Sequence, residues 1–264
     1  MYATNYHRAS SVDEAVKLLS DMPEGKYVSG GMTLIATMKQ RLASPSDLVD
    51  LRHIPALKGI RADGRRVTIG AATTHAEVAS SAAIRAVCPA LCNLAGMIGD
   101  PHVRHMGTIG GSVANNDPAA DYPSAMLGLG ATIVTDRRQI AADDFFTGLF
   151  ETALEEGELI TAITFEAPEK AGYAKFPNPA SRYAMTGVFV AKGTDGVRVA
   201  VTGAGADGVF RHGGMEQALA ANWSPDALAS AAVDPSTLLS DLHATAEYRA
   251  NLIKVMAKRA AAVA

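Results

Sequence analysis

Leu94-Ala-Gly-Met-Ile-Gly-Asp100-Pro-His-Val-Arg-His-Met-Gly-Thr108-Ile-Gly-Gly-Ser112-Val-Ala-Asn-Asn-Asp117-Pro-Ala-Ala-Asp121 is the stretch on which the reading of this 264-residue chain turns. Thr108, Ile109, Gly110, Gly111 and Ser112 read as a glycine turn among small and β-branched residues. Paired glycines permit φ > 0 and let a backbone come close to a ligand. Thr108 and Ser112 add hydroxyl donors, and the run from Asn115 to Asp121 is polar for its surroundings, with acids at Asp117 and Asp121. Asp100, His102 and His105 have a metal-ligand flavour, but their spacing is loose and Pro101 argues for a loop, so a structural or surface role is the better reading.

Working toward the N-terminus, the device recurs. Val28, Ser29, Gly30, Gly31, Met32, Thr33 and Leu34 lie between a strand-like Lys26–Ser29 and a segment, Thr33 to Leu42, that reads as a helix. The first N–H groups of a helix are unsatisfied and point outward, which makes such a junction an anion site suited to a diphosphate. One glycine pair is commonly just a tight turn. Two pairs, flanked by hydroxyls and followed in one case by two aspartates, favour a large phosphorylated ligand gripped from both sides. Around them, Ser11-Val-Asp-Glu14 and Thr74-His-Ala-Glu77 have capping-box spacing. Ser46–Leu51 and Arg66–Ala71 read as strands, and Ile84–Ile98 as a helix despite Pro89.

Toward the C-terminus, Pro168-Glu-Lys-Ala-Gly172 has the composition of a linker. Ser181–Lys192 and Gly196–Gly203 read as a hairpin across Gly193-Thr-Asp-Gly196. The remainder from Met215 is Ala-rich and mostly helical, broken near Ser224-Pro225 and Asp234-Pro235. Gly203-Ala-Gly-Ala-Asp-Gly208 matches a dinucleotide fingerprint, yet no helix opens inside it and no second strand with an acid is placed to follow. It reads as a loop leaving a strand.

Composition narrows the classes. Hydrophobic residues are 48% and charged residues 19% of the chain, enough apolar content for a core and against disorder. The net charge of −3 gives no footprint for nucleic acid or an anionic membrane. The longest uncharged apolar stretch, Ala125–Val134, is short of a membrane span, and the first residues lack a signal-peptide core. A cytoplasmic protein is expected. The two cysteines, Cys88 and Cys92, are too few for a zinc or iron–sulfur site and read as buried thiols. No hydrolase elbow or Cys–His nucleophile stands out.

The Leu94–Asp121 block resembles the signature of flavin subunits of molybdenum hydroxylases, the medium subunits of aerobic carbon monoxide dehydrogenase and the flavin subunits of xanthine dehydrogenase-type enzymes. The resemblance extends to the first glycine loop, Thr73-Thr-His-Ala-Glu77, Glu158-Leu-Ile160 and Ala180-Ser-Arg-Tyr183, and so covers nearly the whole chain. It implies an α+β protein. A vanillyl-alcohol-oxidase (PCMH)-type FAD-binding domain, residues 1–167, would comprise two α/β subdomains (about 1–55 and 56–167). A small C-terminal α+β domain, residues 173–264, would follow. It further implies that Val28–Leu34 and Thr108–Ser112 hold the diphosphate and its neighbours, and that Asp121 accepts hydrogen bonds from the polar middle of a non-covalent FAD. Ile160 would pack on the isoalloxazine, Lys175 lie near its edge, and Tyr183 approach its face; Asp117 would belong to the same site. Met32 stands where the family commonly has Thr or Gln, and the cysteine-rich insertion of some relatives is absent. The implied role is electron transfer, with no catalytic acid or base and no metal on this chain. Electrons would come from the [2Fe–2S] small subunit, itself supplied by a molybdopterin large subunit in a dimer of heterotrimers, and would leave to NAD, a quinone or another acceptor. A stand-alone flavin oxidoreductase and a Rossmann-type NAD-binding subunit are the alternatives.

Overall fold

A computed structural model describes residues 1–264. The first fifty residues build a small parallel unit. β1 (Asn5–Arg8), α1 (Val12–Ser20), β2 (Lys26–Val28), α2 (Leu34–Lys39) and β3 (Asp47–Asp50) form a three-stranded sheet in the order β1-β3-β2. Ser11 caps α1 by accepting from the Glu14 N–H, but the Glu14 carboxylate turns to the Ser10 N–H at 2.8 Å, so the expected capping box is displaced by one residue. α2 is shorter than the expected 33–42 helix because the chain tightens into a turn at Arg41, whose φ is +62°.

The second unit is an antiparallel sheet with helices on it. β4 (Ile60–Asp63), β5 (Arg66–Gly70), then α3 (His75–Ser80), α4 (Ala82–Val87), α5 (Pro89–Gly96), α6 (Pro101–Met106), α7 (Ile109–Asn115) and α8 (Tyr122–Gly128) precede β6 (Thr132–Thr135) and β7 (Gln139–Ala141). A short helix α9 (Ala142–Phe145), a ribbon of β8 (Phe146–Gly148) and β9 (Glu151–Thr152), and β10 (Ile160–Glu166) complete it; the sheet order is β4-β5-β10-β6-β7. The Thr74–Glu77 capping box forms as expected. Ile84–Ile98 is two helices, because Pro89 has no N–H to continue the first and instead starts the second at its first turn. Pro101 likewise opens α6 under an Asp100 cap rather than marking a loop. Neither cysteine is accessible; Cys88 and Cys92 are buried and free, as expected, and burial pushes the Cys88 thiol up to about 12.

The chain then enters a four-stranded antiparallel sheet, β11 (Lys170–Pro177), β12 (Ala184–Gly193), β13 (Gly196–Thr202) and β14 (Phe210–Arg211), followed by α10 (Gly213–Ala221) and α11 (Ala246–Ala262). The segment read as a linker shrinks to Ala167–Glu169. Gly172 lies inside β11, where a Cβ would stand 1.9 Å from the Ala260 carbonyl oxygen of α11. Between α10 and α11 the chain is two 3-10 turns and loop, so the tail is less helical than its composition suggests.

Side chains alternate across this sheet, as the two-residue repeat of a strand demands. Val188, Val190, Val199 and Val201 face α10 and α11 with Met215, Leu219 and Met256, whereas Tyr173, Phe189, Ala191 and Ala200 enter the same core as Val67, Ile69, Leu91, Met126 and Ile163. Hydrophobic packing therefore continues from the antiparallel sheet into the C-terminal sheet without a break. No helix is long and apolar enough to cross a membrane.

Candidate functional site

The two glycine loops meet. Gly30 lies so close to the α6–α7 junction that a Cβ on it would be 2.1 Å from the Met106 carbonyl oxygen and 2.6 Å from the Gly107 Cα. Thr108 Oγ1 donates to Ser29 Oγ at 3.1 Å across the same junction. Beside this contact opens a cavity of about 700 Å³, lined by both loops, by other residues drawn from between Ile98 and Asp121, by the strip 158–160 and by Tyr183. Its size falls in the range usual for small-molecule and cofactor pockets.

The loops differ in their backbones. No N–H from residue 29 to residue 34 donates to any acceptor in the protein. Gly31 there takes φ +68°, and the N–H groups gather at the start of α2. Gly110 and Gly111, by contrast, are inside a helix with ordinary φ, which corrects the expectation that they adopt φ > 0. Their N–H groups are taken: Ile109 donates to Thr73 O at 3.0 Å, Gly110 to Ala71 O at 2.9 Å, and Gly111 to the capping Thr108 Oγ1 at 3.2 Å. A glycine is needed at 110 for closeness, since a Cβ would be 2.5 Å from the Ala71 Cβ and 2.7 Å from its carbonyl oxygen.

Of the candidate residues, Val28, Ser29, Gly30, Gly31, Met32, Thr33, Leu34, Thr108, Gly110, Gly111, Ser112, Asp117, Asp121, Ile160 and Tyr183 all line the cavity. Ile109 does not; its side chain is fully buried in the core. Lys175 is also set back from the wall, its side chain 2% exposed, with Nζ bonded to Asp121 Oδ2 at 2.9 Å and to Met97 O at 3.2 Å. Tyr173 donates its hydroxyl to the other Asp121 oxygen. Burial pushes the carboxyls of Asp121 and Asp117 up, with Lys175 opposing this at Asp121. Asn116 ends α7 in the left-handed region (φ +41°) and donates to Gly148 O and Glu151 O, which redirects the chain into 117–121.

Several wall residues had no individual reading. His75 is at the first position of α3, where the Thr74 cap fixes it; its N–H donates to Gly107 O at 2.9 Å. Its imidazole is nearly buried, with Nδ1 lacking a partner, and burial together with Arg104 lowers it to about 4. The capping box was the signal that could have placed it. Glu158 accepts from Arg138 Nε at 3.0 Å and Nη2 at 2.9 Å, from Thr135 Oγ1 at 2.7 Å and from the Glu155 N–H at 2.8 Å. These bonds, the Arg138 ones foremost, lower it to about 2. Asp100, His102 and His105 gather no metal-ligand set; His105 Nδ1 lies 2.6 Å from the Pro101 carbonyl of its own helix.

Residues 2–167 match the family model described as FAD binding domain in molybdopterin dehydrogenase. The chain belongs to this family. It is 34% identical over 271 residues to the carbon monoxide dehydrogenase medium chain of Hydrogenophaga pseudoflava, covering 97% of this chain and 94% of that one. To the nicotine 6-hydroxylase medium subunit of Paenarthrobacter nicotinovorans it is 32% identical, covering 97% and 95%. The solved Hydrogenophaga pseudoflava carbon monoxide dehydrogenase lacking the Mo-pyranopterin moiety superposes with TM-score 0.90 at 34% identity, over 100% of this chain and 97% of that one. The chain is thus an FAD-binding oxidoreductase subunit of the molybdenum hydroxylase type, with the α+β architecture that the resemblance implied.

FAD, with an anionic diphosphate, fits what this chain presents. The cavity wall holds one lysine, Lys26, and no arginine, while six consecutive wall residues, 29–34, carry N–H groups with no partner in the protein. A diphosphate is the ligand such donors satisfy best.

Proposed function

We propose that this chain is the FAD-carrying electron-transfer subunit of a molybdenum hydroxylase complex. It would take electrons from the [2Fe–2S] clusters of a small subunit, with molybdopterin on a large subunit, in a cytoplasmic dimer of heterotrimers. We assign residues 1–167 to the FAD-binding domain and 173–264 to the C-terminal domain. The observation that carries the reading is the row of unpartnered N–H groups from residue 29 to 34, set against the α7 start at one end of a large cavity.

When bound, FAD would supply two-electron redox chemistry, with electrons entering from the cluster partner and leaving to NAD, a quinone or another acceptor. The first loop's N–H groups hold the diphosphate, and the hydroxyls of Thr33 and Ser112, which bond to nothing in the protein, add donors beside it. Ile160 and Tyr183 present apolar and aromatic surface for the ring, while Asp117 and Asp121 accept from the polar chain between. Relatives named for carbon monoxide and for nicotine match this chain over nearly its whole length, which supports a partner, rather than this chain, choosing the substrate.

Two experiments test the reading. Acid precipitation of the purified chain releases a yellow supernatant that runs as FAD; colour left in the pellet would mean covalent attachment, and a colourless protein would count against the site. Mixing the FAD-loaded chain alone with carbon monoxide, aldehydes or N-heterocycles leaves the flavin oxidised until the partner subunits are added. Rapid bleaching without partners would make it a stand-alone oxidoreductase.

A further inference from the structure

The motif Gly203–Gly208 has no part in the cavity, yet the strand end that leads into it holds the cavity's acidic segment. Residues 118–120 join Asp117 to Asp121 without regular structure, and each of their three carbonyls is taken by the C-terminal sheet. Gly203 N–H donates to Pro118 O at 2.8 Å, Ala184 N–H to Ala119 O at 3.3 Å, and Thr202 Oγ1 lies 2.6 Å from Ala120 O and 3.1 Å from Pro118 O. The single Thr202 proton goes to the nearer, Ala120. At the end of the segment, Lys175 and Tyr173 of β11 hold the two Asp121 oxygens.

The grip is itself braced. Arg249 of α11 is 3% exposed, and its Nη1 donates to Gly203 O at 2.7 Å and Met185 O at 2.5 Å, while Nη2 meets Asp241 at 2.8 Å. Gly203 takes φ +81°, and a Cβ on it would be 2.3 Å from the Ala184 carbonyl oxygen. Glycine is therefore required at 203 so that β13 can end against β12 and aim its N–H at Pro118, which is a reason for the motif's first glycine that involves no nucleotide.

We propose that Thr202 and Gly203, backed by Arg249, are positioning residues for FAD: they set the course of residues 117–121 and so the place of the two acids that face the cofactor. This rests on the FAD assignment of the cavity above. A purely structural role would make the same bonds but would show only in folding stability, because neither residue touches the cavity.

The experiment measures FAD affinity of the full chain, stripped of flavin, by quenching of FAD fluorescence well below the thermal midpoint of every variant. Thr202→Val keeps the shape and removes the donor; it is expected to raise the FAD Kd about tenfold, the equivalent of ~1.4 kcal/mol, and Thr202→Ser to restore it within about twofold. A Thr202→Val protein with a lowered midpoint and unchanged Kd overturns the proposal, as does a loss that Thr202→Ser fails to restore. Should Thr202→Val not fold, Tyr173→Phe removes one hydroxyl from the same segment and must raise the Kd as well; an unchanged Kd there overturns the proposal. Failure of the unsubstituted chain to bind FAD would instead overturn the site assignment.

Discussion

Two Gly-Gly pairs about 80 residues apart look alike in sequence and do opposite things. At Gly30-Gly31 the backbone keeps its N–H groups free and one residue goes left-handed. At Gly110-Gly111 the backbone is helical, and its N–H groups are spent on Ala71 and Thr108. The first pair makes a donor surface. The second makes a thin wall, letting α7 pack on the end of β5 closely enough to form the floor beside that surface. A glycine pair therefore signals close approach, while only the hydrogen-bond inventory tells whether ligand or protein does the approaching.

The hardest test of this contrast uses alanine at three of these glycines. Gly30→Ala drives a Cβ into the Met106 carbonyl and Gly110→Ala one into Ala71, with no flexible side chain to yield. Each is expected to cost about 3 kcal/mol or more and to lose FAD. Gly111→Ala meets only Thr108 Oγ1, at 2.9 Å, whose displacement costs about the 1 kcal/mol of a cap against a gain in helix propensity, so its apo-protein midpoint should fall far less than that of Gly110→Ala. Thermal melts of the stripped proteins check this. If Gly111→Ala melts as low as Gly110→Ala, the second pair is not a wall packed on one side.

Much of this frame is legible in the sequence. The capping box at Thr74 and the hairpin across Gly193–Gly196 each rest on local chemistry that survives tertiary packing. What escaped is settled at longer range. β1 and β4 are four-residue edge strands whose partners, β3 and β5, come from elsewhere in the fold or across a tight turn, and nothing in Asn5–Arg8 alternates strongly. Whether Pro89 and Pro101 stop or start a helix depends on what precedes them, and both start one. Lys175 reads from sequence as an isolated cation, and its pairing with buried Asp121 across 54 residues is visible only in the fold. The fingerprint-like Gly203–Gly208 is a loop leaving β13, as its sequence reads, but the reason for its first glycine lies in the Ala184 carbonyl, which no local pattern shows.

Acid should loosen the first loop before the second. Tyr27, which leads into the first loop, donates its hydroxyl to Gly157 O at 3.1 Å, next to Glu158. The Glu158 carboxyl lies at about 2 in the folded chain, against 4.5 for a free one. A depressed carboxyl contributes stability that is complete above the unfolded value and lost as pH falls from about 4.5 toward 2. Allowing for the half-exposed Arg138, that contribution is about 2 kcal/mol. Arg138→Ala should remove most of it and flatten the pH dependence of the denaturation midpoint in this window. Protection of the β2 amides, residues 26–28, against exchange should fall on acidification before that of residues 109–115. A reversed order would detach Glu158 from the first loop.

Thr108 joins the two loops, capping α7 through its oxygen and donating to Ser29. Thr108→Ala should cost about 1 kcal/mol, the usual loss of a cap, whereas Thr108→Ser keeps both bonds. The informative measurement is the rate of FAD release. Release is expected to quicken several-fold in the alanine variant and to match the unsubstituted chain in the serine variant. Unchanged release in Thr108→Ala would mean that the loops hold their spacing through the Gly30–Met106 contact alone.

The smallest expected effect is at Met32, and it is the sharpest on what the first loop is made of. Met32 lines the cavity and is 39% exposed. If the loop holds phosphate through its main chain, then the side chain at this position adds little, because the N–H groups of 29–34 are unaltered by truncation at Cβ. Met32→Ala should change stability by less than about 0.5 kcal/mol, as surface substitutions usually do, and FAD affinity by less than about twofold. Met32→Pro deletes one N–H while fixing φ near −65°, so it separates donor from side chain at a single position. Proline should weaken FAD binding where alanine does not, as read by titration of the stripped chain. Equal affinity in the two variants would show that the N–H of residue 32 is not among the donors, and would confine the cradle to the glycines and the start of α2.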